Sequence, residues 1–324
     1  MNRRNFLSLT ILSASLAGCS KKPSAPNAPV RFGHFPNITH VQGLVAHQLS
    51  RLGKGWYEER LGVPVEWFTY NAGPSATEAI FGGALDVTYI GPSPVLNAYA
   101  KSKGTEIRIL AGAANGGSSI LVRPAANIKT IADFRGKKIA TPQLGNTQDV
   151  QLRALLTANG FSISQTGGDA TIMPTQNADL LSLFQQGQLD AAWAPEPFAS
   201  VLELEGGATN FKEDRETNVT MLVSSAAFLK DRPELAKKVA AAHRGLTEWI
   251  KSNPAEARKL LVAEIAALTT KEPKAAVVDK ALSRTILTNE VSRPSLEKMV
   301  EGAKTAGFLK EFPALEPLLS QLSP

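Results

Sequence analysis

Six short loops of this 324-residue chain combine hydroxyl, amide and glycine residues where apolar runs end. They read FPNITH, NAGPS, GPSP, NGGSS, PQLGNTQD and WAPEP. Glycine-rich turns expose backbone N–H groups, and helices predicted to begin at Ser75 and at Asn146 or Thr147 direct partial positive charge at what lies before them. None of the loops contains lysine or arginine, so the pattern favours binding of an oxyanion such as a sulfonate by neutral donors.

The candidate ligand-binding residues are the polar, glycine and proline positions of these loops together with one tryptophan and one glutamate. They are Asn37, Thr39, His40, Asn71, Gly73, Pro74, Ser75, Gly91, Ser93, Gly117, Ser118, Gln143, Asn146, Thr147, Gln148, Trp193 and Glu196. Trp193 is expected either to stack on the ligand or to pack in the core. Ser93 and Ser118 either donate to the ligand or stabilise turns.

Two carboxylates in the same loops argue for a different ligand. Near a bound solute, a carboxylate repels an anion and favours an amine, a pyrimidine or a metal. We interpret Asp149 as a helix-capping residue, because it occupies the third helical position after Asn146. Glu196 lies between two prolines at a strand end, and we place it in the ligand site. The alternative is that Glu196 bonds backbone donors of its own turn.

Three histidines lie near the first predicted helix, at His34, His40 and His47. His40 and His47 are spaced so that they can share a helix face, which makes a metal site conceivable. The sequence has no H-E-x-x-H motif, and its single cysteine, Cys19, offers no ligand set. We therefore predict no metal site, and we expect His40 to cap the helix or to hydrogen-bond the ligand.

A helix–strand–turn unit that occurs twice positions the loops. GALDVTYIGPSP (83–94) and GQLDAAWAPEP (187–197) share Gly-x-Leu-Asp, an aromatic residue and a turn with two prolines. From Val30 onward, apolar runs alternate with helical patterns, which indicates an α/β protein with a helical C-terminal region. Because ligands lie at the carboxyl ends of strands in α/β sheets, two copies predict two domains that share one cleft.

Composition and motifs exclude several classes of function. The net charge is +6, but lysine and arginine lie beside acids, as in KEDRE and KDRPELAKK, so no stripe for nucleic acid is present. The sequence has no G-x-S-x-G motif, no P-loop and no cysteine besides Cys19. We therefore predict a protein that is not an enzyme, has no cofactor and does not bind nucleic acid.

The N-terminal segment has the pattern of an export signal. Residues 1–18 combine a basic start, an apolar stretch and small residues before Cys19, which is typical of a signal peptide and too short to span a membrane. Leu16-Ala17-Gly18-Cys19 resembles the bacterial lipobox, in which the cysteine is lipidated. Residues 19–29 then form the lipidated cysteine and a flexible tether. We expect an exported body, periplasmic or at the cell surface, anchored by lipid at Cys19.

Three longer stretches carry a resemblance to a known family. YNAGPSATEAIFGGALDVTYIGPSP, IADFRGKKIATPQLGNTQDVQLRALL and WAPEPF resemble the substrate-binding proteins of bacterial ABC importers. The branch is the one associated with aliphatic sulfonates, nitrate and taurine, and it is related to binders of thiamine precursors. The resemblance runs from about Val30 to the C-terminal helices.

This resemblance implies an α/β, two-lobed, type II periplasmic-binding-protein fold, with each lobe a mixed sheet flanked by helices and the ligand cleft between the lobes. Lobe 1 would hold residues 30–118 and 220–324, lobe 2 residues 119–219, and the lobes would close by hinge motion. The implied function is a receptor that captures a small sulfonate-like solute and delivers it to a permease with a separate ATPase. The alternative is a receptor for a thiamine-precursor pyrimidine, an amine or a metal ion. A pyrimidine-synthase-type enzyme would need a cysteine-rich loop, which the mature chain lacks.

Overall fold

The computed structural model describes residues 27–164 and 167–319, and within these ranges it contains eleven β-strands and thirteen α-helices. The strands are β1 (Val30–His34), β2 (Val65–Thr69), β3 (Val87–Ile90), β4 (Ile107–Gly116), β5 (Ser118–Val122), β6 (Lys138–Thr141), β7 (Thr171–Pro174), β8 (Ala191–Pro195), β9 (Thr209–Asp214), β10 (Asn218–Ser225) and β11 (Thr285–Leu287). The helices are α1 (Val41–Arg51), α2 (Trp56–Leu61), α3 (Gly73–Phe81), α4 (Pro92–Lys101), α5 (Thr147–Ala158), α6 (Leu180–Gln185), α7 (Phe198–Leu204), α8 (Ala226–Asp231), α9 (Pro233–Ser252), α10 (Pro254–Thr269), α11 (Ala275–Arg284), α12 (Arg293–Thr305) and α13 (Glu316–Leu319). A short 3-10 turn, Ile38–His40, precedes α1.

The strands form two mixed sheets, one in each lobe. The first sheet has the order β11-β4-β10-β3-β1-β2, in which β1 runs parallel to β2 and β3 while β10 runs antiparallel to β3 and β4. The second sheet has the order β7-β6-β8-β5-β9, in which β6 is parallel to β7 and β8 while β5 is antiparallel to β8 and β9. Helices flank both sheets, and the predicted fold class is confirmed.

In each sheet, the central strands are buried on both faces because they are apolar at successive positions. In β10, Leu222 packs with α1, α9 and α10 on one face, whereas Met221 and Val223 pack with α4 and α12 on the other. In β5, Ile120 and Leu121 likewise belong to separate clusters on opposite faces of the second sheet. Successive side chains of a strand point to opposite faces of its sheet, so each buried strand contributes to the apolar clusters on both faces.

The chain passes between the sheets twice. It leaves the first sheet where β4 ends, enters β5 directly after Gly117, and returns through residues 215–217 between β9 and β10. Gly116 and Gly117 have φ angles of 69° and 66°, a left-handed conformation that favours glycine. A Cβ atom at Gly117 would lie 2.7 Å from Thr39 Cγ2, so this crossing is also closely packed.

The two copies of the repeated unit occupy equivalent positions. β3 lies between β1 and β10, and β8 lies between β6 and β5. The prediction of a proline turn after β3 is wrong, because α4 begins at Pro92. Proline is tolerated in the first turn of a helix, since the N–H groups there have no intrahelical acceptor.

Among the described helices, none is both long enough and apolar enough to cross a membrane. The predicted signal peptide, Cys19 and most of the tether lie outside the described residues.

Candidate functional site

A small cavity lies between the two lobes at the carboxyl ends of their strands. Its volume is about 30 Å³, which is room for roughly two water molecules. We call it the cleft cavity. Nine of the predicted ligand-binding residues line it, namely Asn37, Thr39, His40, Asn71, Gly73, Gly91, Asn146, Thr147 and Gln148.

Helix N-termini from both lobes meet at the cleft cavity. Gly73 begins α3, Gly91 immediately precedes α4, and Thr147 and Gln148 occupy the first two positions of α5. The first N–H groups of a helix have no acceptor within the helix, and they carry the positive end of its dipole. The cleft cavity is therefore bordered by neutral groups that are suited to donate hydrogen bonds to an anion.

Asn146 prepares the N-terminus of α5, as predicted. Its Oδ1 accepts a hydrogen bond from Asp149 N at 2.9 Å, and its Nδ2 donates to Gln148 Oε1 at 2.8 Å. The cap holds Gln148 against the cleft cavity. Gln148 Nε2 in turn donates to Ser118 Oγ at 3.2 Å.

Two buried polar atoms at the cleft cavity have no hydrogen-bond partner among the described residues. They are Asn37 Oδ1 and His40 Nδ1, on residues that are 5% and 2% exposed. Burial lowers the pKa of His40 well below its usual value, with a smaller effect from His34, so the ring is neutral at pH 7. Unpaired buried polar atoms cost free energy, and a bound solute would satisfy them.

The described residues that line the cleft cavity carry no charged side chain at neutral pH. Sequence reasoning missed six lining residues, which are Phe35, Ala72, Pro94, Pro142, Pro195 and Val219. All but Val219 lie inside the polar loops. An apolar or proline residue beside a polar residue at a strand end was therefore the sequence feature that could have identified them.

Direct hydrogen bonds join the two lobes across the cleft. Asn71 Nδ2 donates to Pro142 O at 3.1 Å, and Asn71 Oδ1 accepts from Asn177 N at 3.3 Å. Ser75 and Gln143 also bond each other, with Gln143 Nε2 3.1 Å from Ser75 Oγ. Asn71, Ser75 and Gln143 therefore form a closed rim, in which Asn71 alone also lines the cleft cavity. Pro74 lies outside its lining.

Ser93, Ser118 and Trp193 lie just outside the cleft cavity. Trp193 is 5% exposed and donates its Nε1–H to Ser118 Oγ at 2.8 Å. Its ring belongs to the apolar cluster of the second lobe, as the core interpretation expected. Ser118 thus accepts from both Trp193 and Gln148, which positions Gln148 rather than a ligand. Gly117, in the crossing, also lies outside the lining.

A larger space of about 420 Å³ lies between α5 and α12 and includes Ser93 and Trp193 in its lining. Its lining also contains charged residues such as Lys212, Lys298 and Glu301. Ser93 N lies 3.4 Å from Thr147 Oγ1, which belongs to a residue that lines the cleft cavity. The cleft cavity is the candidate ligand site, because it gathers most of the predicted residues and the unpaired atoms of Asn37 and His40.

The structure places Glu196 outside the lining of the cleft cavity. Its carboxylate is fully buried, with Oε2 accepting from Ser200 N at 3.0 Å and Oε1 lying 3.2 Å from Arg284 Nη1. Burial raises the pKa of Glu196, although Ser200 and Arg284 oppose that shift. Glu196 bonds the first turn of α7, which was the alternative considered, and it does not line the cleft cavity.

Asp149 is structural, as expected. Besides contributing its N–H to the cap, it accepts from Gly145 N at 2.9 Å and pairs with Arg153 at 3.1 Å, and both charged side chains are buried. These contacts hold the PQLGNTQD loop against α5.

Comparison with known proteins places the chain in a family. A model of the NMT1-like family matches residues 23–267. The chain belongs to the NMT1-like family. A Brucella abortus (strain 2308) relative of this NMT1-like protein, named as a binding protein, is 26% identical over 320 residues, covering 95% of this chain and 90% of the relative.

Other relatives of this NMT1-like protein have more specific names. An Escherichia coli (strain K12) protein named for binding aliphatic sulfonates is 29% identical over 242 residues, covering 72% of this chain and 69% of the relative. The solved structure of the alkanesulfonate-binding protein SsuA from Xanthomonas axonopodis pv. citri, bound to MOPS, superposes with a TM-score of 0.73. It is 22% identical and covers 91% of this chain and 99% of that one. At that identity the likeness shows a shared fold.

Proposed function

We propose that this NMT1-like protein is an extracytoplasmic solute-binding receptor of an ABC import system, and that the cleft cavity captures a small sulfonate-like anion. The observation that carries the proposal is the cavity itself, where helix N-termini of both lobes meet around uncharged donors. The names of the relatives, which refer to binding of sulfonates and taurine, support the ligand class and favour binding over catalysis.

The electrostatics of the cleft cavity favour an anion over a cation. Backbone N–H groups at Thr147 and Gln148 offer donors at the positive end of α5. A cation would need carboxylates, and the carboxylates of Asp149 and Glu196 are already engaged by Arg153 and Arg284. The alternative ligands were an amine, a pyrimidine or a metal ion, and they were suggested by a carboxylate near the solute. Neither carboxylate is available to bind them.

The small volume of the cleft cavity implies that the lobes separate to admit a solute. Opening would break the bonds of Asn71 to Pro142 and Asn177, and the lobes would then close around the ligand. We propose that the lobes rotate about the crossings at Gly117 and residues 215–217. A membrane permease and a separate ATPase would then receive the solute, while lipid at Cys19 keeps the receptor at the membrane.

Calorimetry with ligands of matched size tests the proposed ligand class. We expect ethanesulfonate or taurine to bind the purified protein with a dissociation constant of about 1 μM, or about −8 kcal/mol. Ethylamine shares the carbon skeleton of ethanesulfonate but lacks the anionic group, so it should give no heat beyond dilution. Nitrate and a thiamine-precursor pyrimidine complete the panel. Binding of the amine or the pyrimidine, with no binding of any sulfonate or of nitrate, would overturn the proposal.

A further inference from the structure

Three side chains that can bind a metal converge in the first lobe, outside the cleft cavity. His34 Nε2 lies 2.9 Å from His47 Nδ1, and His47 Nδ1 lies 2.7 Å from Glu264 Oε1. All three atoms lie within 4.8 Å of one another, and all three residues are buried. The residues come from three elements, because His34 ends β1, His47 lies on α1 and Glu264 lies on α10.

Each of the three side chains makes a further contact outside the cluster. These contacts orient His34 Nε2, His47 Nδ1 and Glu264 Oε1 toward one another. His34 Nδ1 lies 3.3 Å from Phe35 O, which makes Nδ1 the donor and leaves the Nε2 lone pair free. Arg51 Nε holds Glu264 Oε2 at 2.8 Å, and the His47 ring stacks on Trp67 at an interplanar angle of 15°. Supporting contacts of this kind orient the ligands in metal sites.

The hydrogen bonds among the described residues leave one acceptor of this cluster, Glu264 Oε1, without a well-oriented donor. His47 Nδ1 lies between His34 Nε2 and Glu264 Oε1, and Glu264 Oε1 has no hydrogen-bond partner of good geometry among the described residues. Neutral imidazole and carboxylate are the forms that bind metals.

We propose that His34 Nε2, His47 Nδ1 and Glu264 Oε1 form a site for a divalent cation of the Zn²⁺ type, separate from the solute site. Two imidazole nitrogens and one carboxylate oxygen are a recognised ligand set for zinc, with bonds of about 2.0–2.2 Å. Tetrahedral geometry with such bonds separates the donors by about 3.4 Å, so the two separations from His47 Nδ1, 2.9 Å and 2.7 Å, must each widen by roughly half an ångström or slightly more. The ion would tie α1 and α10 to the end of β1, directly before the loop that carries Asn37 and His40.

Metal analysis after dialysis against Zn²⁺ tests this site. The protein used is the purified chain with Cys19→Ser, which removes the sole thiol as a competing ligand. We expect one zinc per chain and a higher thermal midpoint with Zn²⁺ than with a chelator. His47→Gln and Glu264→Gln should each weaken zinc binding at least tenfold and remove the rise in the midpoint. The matched control is Glu234→Gln, because Glu234 lies on the surface of α9, where it pairs with Lys237, and its loss should change nothing.

Two results would overturn the site. The first is no stoichiometric zinc on the starting protein, which would leave His47 and Glu264 as a simple ion pair. The second is full zinc retention by both His47→Gln and Glu264→Gln, which would place the metal elsewhere. If these variants fail to fold, X-ray absorption of the zinc-loaded starting protein decides the question. Two imidazole ligands on zinc support the site, and fewer than two contradict it.

Discussion

Gly91→Val is expected to weaken sulfonate binding about 100-fold while leaving the fold intact. Gly91 lies in the first lobe and faces Thr147 of the second, and an added Cβ atom would lie only 2.4 Å from Thr147 Oγ1. The φ and ψ angles of Gly91, −73° and 155°, suit valine, so the substitution introduces no backbone strain. If the clash makes closure of the lobes about 3 kcal/mol less favourable, the apparent affinity for the sulfonate falls roughly 100-fold. Calorimetry with ethanesulfonate measures the loss.

Gly245→Ala is the matched control for Gly91→Val. Gly245 lies on α9, and among the described residues an added Cβ there would meet only Trp56, at 3.7 Å. This variant should bind ethanesulfonate like the unmodified protein, and both variants should unfold at nearly the unmodified temperature. Unchanged affinity in folded Gly91→Val would show that the lobes do not need to close at Thr147 for binding.

Arg284→Met is expected to lower the free energy of unfolding by about 3–5 kcal/mol. Arg284 contacts three acids of the second lobe, at 3.2 Å from Glu196, 2.9 Å from Glu203 and 3.2 Å from Glu213. Burial opposes ionisation of Glu203, but Lys280 and Arg284 together hold its pKa below the usual value. Methionine roughly keeps the volume of the side chain and removes the only cation that contacts Glu196 among the described residues, whereas Glu203 keeps Lys280 and Glu213 keeps Arg215. Urea unfolding measures the change.

Arg258→Met provides the comparison for Arg284→Met. Arg258 pairs with Asp279 at the surface, where an ion pair contributes at most about 1 kcal/mol. Equal stability losses in the two variants would contradict the assignment of a buried ionic cluster between the lobes. Adding Glu196→Gln to Arg284→Met should recover part of the loss, because it removes the buried carboxylate that Arg284→Met leaves without a cation.

Local sequence signals predicted those parts of the protein that depend on neighbouring residues. The repeated Gly-x-Leu-Asp unit correctly predicted equivalent strands, β3 and β8, because alternation and turn chemistry act over a few residues. Asn146 was correctly identified as a cap for the same reason, and nine loop residues reached the cleft cavity. Helix α4 was missed, since Pro92 and Pro94 indicate a turn as readily as a first helical turn.

Contacts between distant residues decided the parts that sequence reasoning missed. Glu196 was expected in the ligand site because it lies between two prolines at a strand end, and no local pattern indicates its contact with Arg284, 88 residues away. The grouping of His34 and His47 with Glu264 was missed for the same reason, since α10 joins them only through tertiary packing. Burial and charge pairing of this kind depend on which helices pack against each other. The spacing of helices along the chain does not predict that packing.

A crystal structure with 2-bromoethanesulfonate tests the assignment of the ligand site most directly, because anomalous scattering from bromine locates the ligand independently of the protein. We expect one strong bromine peak in the cleft cavity. The sulfonate oxygens should lie about 2.7–3.2 Å from backbone N–H groups at Thr147 or Gln148, with His40 Nδ1 now hydrogen-bonded. A bromine peak confined to the larger space between α5 and α12, with the cleft cavity empty of ligand, would contradict the assignment.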